Sequence, residues 1–64
     1  MTQREFEIRL LKFLKHEGGL VLHEQINAWQ KSHPELLRYP VKETLENLCK
    51  QNLIEKNERG IRAL

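Results

Sequence analysis

The side chains best suited to covalent or metal chemistry in this chain are one cysteine and three histidines, Cys49, His16, His23 and His33. A thiolate beside an imidazole can act as a nucleophile. However, Cys49 flanks an apolar helical stripe, where a buried and inert thiol is the usual outcome. A zinc site needs about four ligands at recognisable spacing, which these residues do not supply. The sequence also lacks Asp. We therefore expect no enzymatic activity, no metal and no cofactor.

The charged residues are more informative than the cysteine and histidines. Residues 1–37 contain five Lys or Arg and five Glu, whereas residues 38–64 contain six Lys or Arg and four Glu. The net charge of +2 therefore lies in the C-terminal part of the chain. Lys and Arg side chains can neutralise phosphates or read guanine, and Asn and Gln can read adenine. This half of the chain is the candidate for a binding surface.

Length and composition predict a single domain covering residues 1–64, either a whole protein or a module of a longer chain. A chain of 64 residues with 39% hydrophobic residues can bury only roughly 60% of its unfolded surface, so its core must be compact. The longest apolar run is the three-residue segment 20–22, too short to span a membrane, and the N-terminus lacks a signal-peptide pattern. A single Cys excludes an intrachain disulfide and fits an intracellular, cytoplasmic or nuclear setting.

Capping and periodicity predict a first helix that begins after Thr2 and ends at Gly18-Gly19. Thr2 and Glu5 have the spacing of a capping box, and glycine adopts the left-handed conformation that ends helices. The apolar stripe of this helix has helical spacing. It consists of Phe6, Leu10, Phe13 and Leu14.

Two further helices are predicted. The segment 20–22 suits one short extended rung, and a second helix runs from His23 to near His33, because Pro34 disfavours the helical conformation in the residue before it. Ser32 and Glu35 have capping-box spacing, which favours a brief helical turn. Pro40 suits the first turn of a third helix that runs to about Asn52.

The C-terminal segment "LIEKNERGIRAL" is expected to form a β-hairpin. Its loop is Asn-Glu-Arg-Gly or slightly longer, and Gly60 supplies a positive φ. Leu53, Ile54, Ile61 and Ala63 are expected to hold the hairpin to the domain. The predicted fold class is α+β, mostly helical. The predicted core is Phe6, Leu10, Phe13, Leu14, Leu22, Ile26, Trp29, Val41, Leu45, Leu48, Ile54 and Ile61.

The order helix, rung, helix, turn, helix, hairpin resembles the winged helix-turn-helix superfamily. The resemblance covers essentially the whole chain and is carried by "VKETLENLCKQNLIEKNERGIRAL". It implies three helices around one core, closed by a two- or three-stranded sheet that includes a C-terminal hairpin wing, with the third helix in the DNA major groove and the wing on the flanking backbone. The residues implied to contact nucleic acid are Arg38, Lys42, Asn47, Lys50, Gln51, Lys56, Arg59 and Arg62.

Two groups within this superfamily have more specific sequence patterns. Those that bind Z-form nucleic acid carry an Asn and a Tyr on the third helix and a Pro-Trp pair in the wing. This chain has Asn47 but neither the Tyr nor the Pro-Trp pair. The C-terminal winged helix of cullins is similar in "IRLLKFLK" and "LCKQNLIEK", which would place Lys12 near the lysine that receives a ubiquitin-like protein. The terminus "IRAL" departs from the aromatic-rich cullin terminus.

The leading functional hypothesis is double-stranded DNA binding in transcription regulation or DNA processing. Glu43 and Glu46 oppose it, since they occupy the same exposed half of the third helix and would repel phosphate. The alternative is a protein-interaction module within a larger intracellular assembly. Ile8 and Leu11 fall off the main stripe of the first helix and predict a partner interface or a homodimer contact there. They could instead pack under the segment 20–22.

Overall fold

The computed structural model describes all 64 residues as three helices followed by one antiparallel hairpin. The elements are α1 (Gln3–Glu17), α2 (His23–Lys31), a 3-10 turn (Pro34–Leu36), α3 (Val41–Lys50), β1 (Ile54–Asn57) and β2 (Gly60–Ala63). This arrangement confirms the predicted mostly helical α+β fold with a winged-helix layout. None of the helices combines the length and the apolarity needed to cross a bilayer.

The bounds of α1 follow its sequence signals. The hydroxyl of Thr2 accepts a hydrogen bond of 3.2 Å from the backbone N–H of Glu5, which satisfies one of the free donors at the helix start. At the other end, Gly18 adopts a φ of 72°. Between these caps, the buried side chains Leu10 and Leu14 belong to the central core. Local capping and periodicity are therefore sufficient to fix this element.

The segment between α2 and α3 differs from the prediction. Ser32 has helical dihedrals as the C-cap of α2, and its hydroxyl donates to the carbonyl of Ala28 at 2.9 Å. The predicted capping by Ser32 and Glu35 is wrong, because an N-capping residue needs an extended backbone. The turn itself forms, and it buries Leu36 completely. Leu36 was absent from the predicted core.

Thr44 links the start of α3 to the start of α1. Its side chain is fully buried, its hydroxyl donates to the carbonyl of Pro40 at 2.6 Å, and it accepts from the side-chain amide of Gln3 at 2.7 Å. The helix ends at Lys50, slightly before the predicted end, and Asn52 adopts a φ of 60°. The buried face of α3 thus includes one polar group, the Thr44 hydroxyl, and its hydrogen-bonding capacity is satisfied.

The hairpin pairs Asn57 with Gly60, so only Glu58 and Arg59 form its turn. The side-chain oxygen of Asn57 accepts hydrogen bonds from the backbone N–H groups of Arg59 and Gly60, at 2.8 and 3.2 Å. Gly60 has a φ of 151°, as its predicted role requires. The turn is therefore tighter than the predicted four-residue loop.

A third rung of sheet joins the hairpin to the segment after α1. Val21 and Ile61 exchange two backbone hydrogen bonds, of 2.7 and 2.9 Å, and both side chains are fully buried. The prediction of Leu22 in the core is wrong, since Leu22 is 50% exposed. Successive side chains of an extended segment point to opposite sides. The side chain of Val21 points into the core, so that of Leu22 points to solvent. Leu53, also expected to pack inward, is 38% exposed.

The aromatic side chains form one continuous stack beside the aliphatic core. The ring of Trp29 lies 6.1 Å from Phe6 and 5.0 Å from Phe13, with near-parallel planes. These two phenylalanines are seven residues apart on α1, which is about 10 Å along a helix axis, so Trp29 sits between them. Tyr39 continues the stack at 5.1 Å from Phe6. The stack attaches α2 and the segment before α3 to α1.

Candidate interaction surfaces

The outer side of α3 presents five exposed polar residues, called here the helix-three surface. Thr44, Leu45 and Leu48 face inward and are buried. The residues of the helix-three surface are Lys42, Glu43, Glu46, Asn47 and Lys50. Two lysines and two glutamates balance in charge, and no ion pair forms among them. The lysines and Asn47 are therefore free to meet a ligand.

The hairpin, called here the wing, contributes two further unpaired cations. Lys56 and Arg59 are exposed, and neither has a carboxylate within ion-pair distance. Arg62 is different, because its guanidinium lies 2.7 Å from the carboxylate of Glu55. Of the three cations predicted to contact nucleic acid from the wing, one is therefore neutralised by an internal partner.

The two remaining predicted contacts, Arg38 and Gln51, lie at opposite ends of α3. The guanidinium of Arg38 lies over the ring of Tyr39, 5.7 Å from its centroid, in a cation–π contact. Gln51 follows the last turn of α3 and lines a groove that also contains Ile8 and Leu11. The structure thus brings Gln51 together with the residues predicted for a protein partner.

This second surface, the helix-one groove, lies between α1 and the end of α3. Its apolar lining is Ile8, Leu11, Leu48 and Leu53, and its polar rim is Arg4, Glu7 and Gln51. Ile8 is 44% exposed and Leu53 is 38% exposed, whereas Leu11 is half-buried against the core. The residues of segment 20–22 do not line this groove.

Leu53 was not predicted as part of this surface, although a local signal marks it. Asn52 donates its backbone N–H to the carbonyl of Cys49, and Leu53 donates to the carbonyl of Leu48, each at 3.0 Å. This is the Schellman pattern at a helix end, which typically brings an apolar residue back onto the last turn. An Asn followed by Leu after the apolar stripe of α3 therefore indicates the Leu48–Leu53 contact.

The residues considered for covalent or metal chemistry do not converge. Cys49 is half-buried and packs against the core. No group of three His, Cys or Glu side chains is arranged to hold a metal ion. The organised features of the surface are therefore its charges and its apolar groove.

Comparison of the chain with models of protein families, with curated protein sequences and with solved structures finds no match.

Proposed function

We propose that this domain is a non-catalytic, intracellular module that binds double-stranded DNA through the helix-three surface and the wing, in transcription regulation or DNA processing. The observation that carries the proposal is that four exposed cations on these two consecutive elements have no internal ion-pair partner. They are Lys42, Lys50, Lys56 and Arg59. Cations of this kind bind phosphates and displace the counterions that surround DNA.

The proposed contacts are of two kinds, several to the DNA backbone and one to a base. Lys42 and Lys50 flank Asn47 on the exposed side of α3, so a helix in the major groove would set the lysines against phosphates and the amide against a base edge. Lys56 and Arg59 would reach the neighbouring backbone from the wing. Arg38 and Gln51 extend this surface at the two ends of α3.

Glu43 and Glu46 set the expected strength of binding. They lie on the same side of α3 as the lysines and lower the positive potential there. We therefore expect binding in the range of about 10⁻⁴ to 10⁻⁶ M at physiological salt, which is typical of contacts dominated by phosphates. Release of counterions by four cations predicts a slope of log K against log salt concentration of about −3.6.

Titration of a fluorescently labelled duplex of arbitrary sequence at several salt concentrations tests the proposal. Measurable binding at low salt, with a steep decrease as salt rises, supports it. An absence of duplex binding at low salt contradicts it. Binding that is independent of salt also contradicts it, because phosphate contacts through the four cations require counterion release.

A second candidate function is protein binding through the helix-one groove, favoured by the exposure of Ile8 and Leu53 beside Leu11. Three apolar side chains are far fewer than the roughly 20–30 residues per side of a standard stable interface. The groove is therefore better suited to a partner segment, such as an amphipathic helix, that inserts one anchoring side chain than to the interface of a homodimer. Its rim carries both signs of charge, in Arg4 and Glu7.

The Ile8→Lys variant tests this second function, with Lys15→Glu as a control on the same helix. A partner captured in about 0.5 M salt, where exposed charges are screened, should be lost with Ile8→Lys and kept with Lys15→Glu. Capture retained by Ile8→Lys contradicts the assignment. Concentration-dependent dimerisation that Ile8→Lys abolishes would instead assign the groove to a second copy of the chain.

A further inference from the structure

A shallow groove between α1 and α2 combines basic side chains with aromatic ones, and it has no role in the functions proposed above. Its lining is Arg9, Lys12, Phe13, His16 and Trp29, and is called here the basic–aromatic groove. None of the lining residues is acidic. No residue of α3 or of the wing contributes to it. The groove is therefore independent of the proposed DNA surface.

The charges of this groove are available to a ligand. Lys12 and His16 are exposed and form no ion pair. Arg9 lies 3.5 Å from the carboxylate of Glu35, with the two side chains 39% and 52% exposed. Exposed pairs of this kind contribute little and can be exchanged for another carboxylate. An anionic ligand would therefore meet up to three donors without competing against a strong internal contact.

The aromatic floor of the groove is the outer end of the ring stack. Phe6, inside the stack, is fully buried, whereas Phe13 and Trp29 are only half-buried. The indole of Trp29 stacks on Phe6 and on Phe13, and the ring of His33 lies 5.8 Å from it, so its faces are engaged within the domain and we take its edge as the part available to a ligand. A ring edge carries the positive end of the aromatic quadrupole and so favours an anion.

The indole N–H adds a directed donor. The Trp29 carbonyl accepts a hydrogen bond from the His33 ring at 2.9 Å, but the indole N–H takes part in no hydrogen bond, and no buried side-chain nitrogen or oxygen lacks a partner. The N–H therefore reaches solvent, where it can donate to a carboxylate. The groove thus combines basic side chains with two half-buried rings, one of which carries an unpaired indole N–H.

We infer that the basic–aromatic groove binds an acidic peptide segment that places one apolar or aromatic side chain against Phe13 and Trp29. Its carboxylates would contact Lys12, Arg9 and His16. Single-stranded nucleic acid fits less well, because it is held by successive bases that stack on open aromatic faces, and of these two rings only Phe13, at the end of the stack, has a face without a ring partner. The partner predicted by this chemistry is an acidic stretch of another protein chain.

Chemical-shift mapping with the capped peptide EEFEE tests the inference, because the only Trp of the chain gives an isolated indole N–H signal. We expect the signals of the Trp29 indole and the Lys12 and His16 amides to shift as the peptide is added. The uncharged peptide QQFQQ should bind at least about fivefold more weakly, since it lacks the carboxylates.

Two charge reversals on α1 locate the site. Lys12→Glu should weaken EEFEE binding about tenfold, whereas Lys15→Glu, outside this groove, should change it by less than about twofold. The inference is overturned if EEFEE does not shift the indole signal, if QQFQQ binds equally well, or if the two variants lose binding equally. Tighter binding of single-stranded oligothymidylate at the same signals would also overturn it, in favour of a nucleic-acid site.

Discussion

Glu55 and Arg62 lie directly opposite each other across the hairpin, and the guanidinium contacts the carboxylate at 2.7 Å. A second contact, from the Nε–H of Arg62 to the same oxygen, is 2.9 Å long. Arg62 is thus neutralised within the domain, while Lys56 and Arg59 on the same hairpin are not. The register of the wing therefore decides which of its cations have an internal partner.

Removal of this internal partner should increase DNA binding. In Glu55→Gln, Arg62 becomes free to contact a phosphate, so the slope of log K against log salt should become steeper by about 0.9. Loss of an exposed ion pair costs at most about 1 kcal/mol, which leaves the fold intact. Duplex titration at several salt concentrations measures the slope.

Glu58→Gln is the matched control, because Glu58 lies at the turn of the same hairpin and has no ion-pair partner. It removes the same charge without releasing an arginine, so its slope should stay close to that of the unmodified domain. Equal slope changes in the two variants would show that the Glu55–Arg62 pair does not restrict Arg62.

Substitution of Gly60 should destabilise the domain strongly. A Cβ atom there would lie 2.8 Å from the carbonyl oxygen of Val21, and the φ of 151° is unfavourable for any other residue. Gly60→Ala should lower the free energy of unfolding by about 2–3 kcal/mol. Urea denaturation measures this loss.

Two other glycines separate the two causes of that loss. Gly18 has a φ of 72° but open space around it, so Gly18→Ala should cost about 1–2 kcal/mol from backbone strain alone. Gly19 has neither constraint, and Gly19→Ala should change stability by less than about 0.5 kcal/mol. A cost at Gly60 no larger than that at Gly18 would contradict the close contact with Val21.

The buried hydroxyl of Thr44 is expected to contribute to stability through its two hydrogen bonds. Thr44→Val retains the branched shape but leaves the carbonyl of Pro40 and the amide of Gln3 without this partner. The variant should lose about 1–3 kcal/mol in urea denaturation. Combined with Gln3→Ala, it should show a coupling energy of about 1 kcal/mol. Fully additive losses would contradict a Gln3–Thr44 contact.

The sequence predicts the elements of this domain well because their signals are local. Thr2 and Gly18 cap α1 in the expected way, and Gly60 lies at the turn of the hairpin; Pro40 marks the start of α3, although as its extended N-cap rather than within the first turn as predicted. Each of these features depends on residues that are close together in the sequence. The winged-helix layout follows from their order.

The errors arise where a tertiary contact chooses between neighbouring residues. Val21 rather than Leu22 is buried because Ile61 pairs with Val21, a partner forty residues away that local periodicity does not reveal. Leu36 is buried in a three-residue turn, which is too short to show a periodic pattern.

The candidate surfaces were predicted less completely than the fold. The predicted hairpin loop at residues 57–60 already places Glu55 opposite Arg62, so the pairing of Arg62 with an internal carboxylate can be predicted from the sequence. The Schellman end of α3 similarly indicates Leu53 beside Leu48. The basic–aromatic groove depends on the packing of α2 against α1, so spacing along the chain alone could not predict it.

The salt dependence of duplex binding by the Lys42→Gln/Lys50→Gln double variant tests the central claim most directly. If these lysines contact phosphates, the slope of log K against log salt should decrease in magnitude by about 1.8. The control Lys15→Gln/Lys31→Gln removes the same charge from exposed positions on α1 and α2, and should leave the slope unchanged. An equal decrease in both double variants, or no duplex binding by the unmodified domain at low salt, would contradict DNA binding through the helix-three surface.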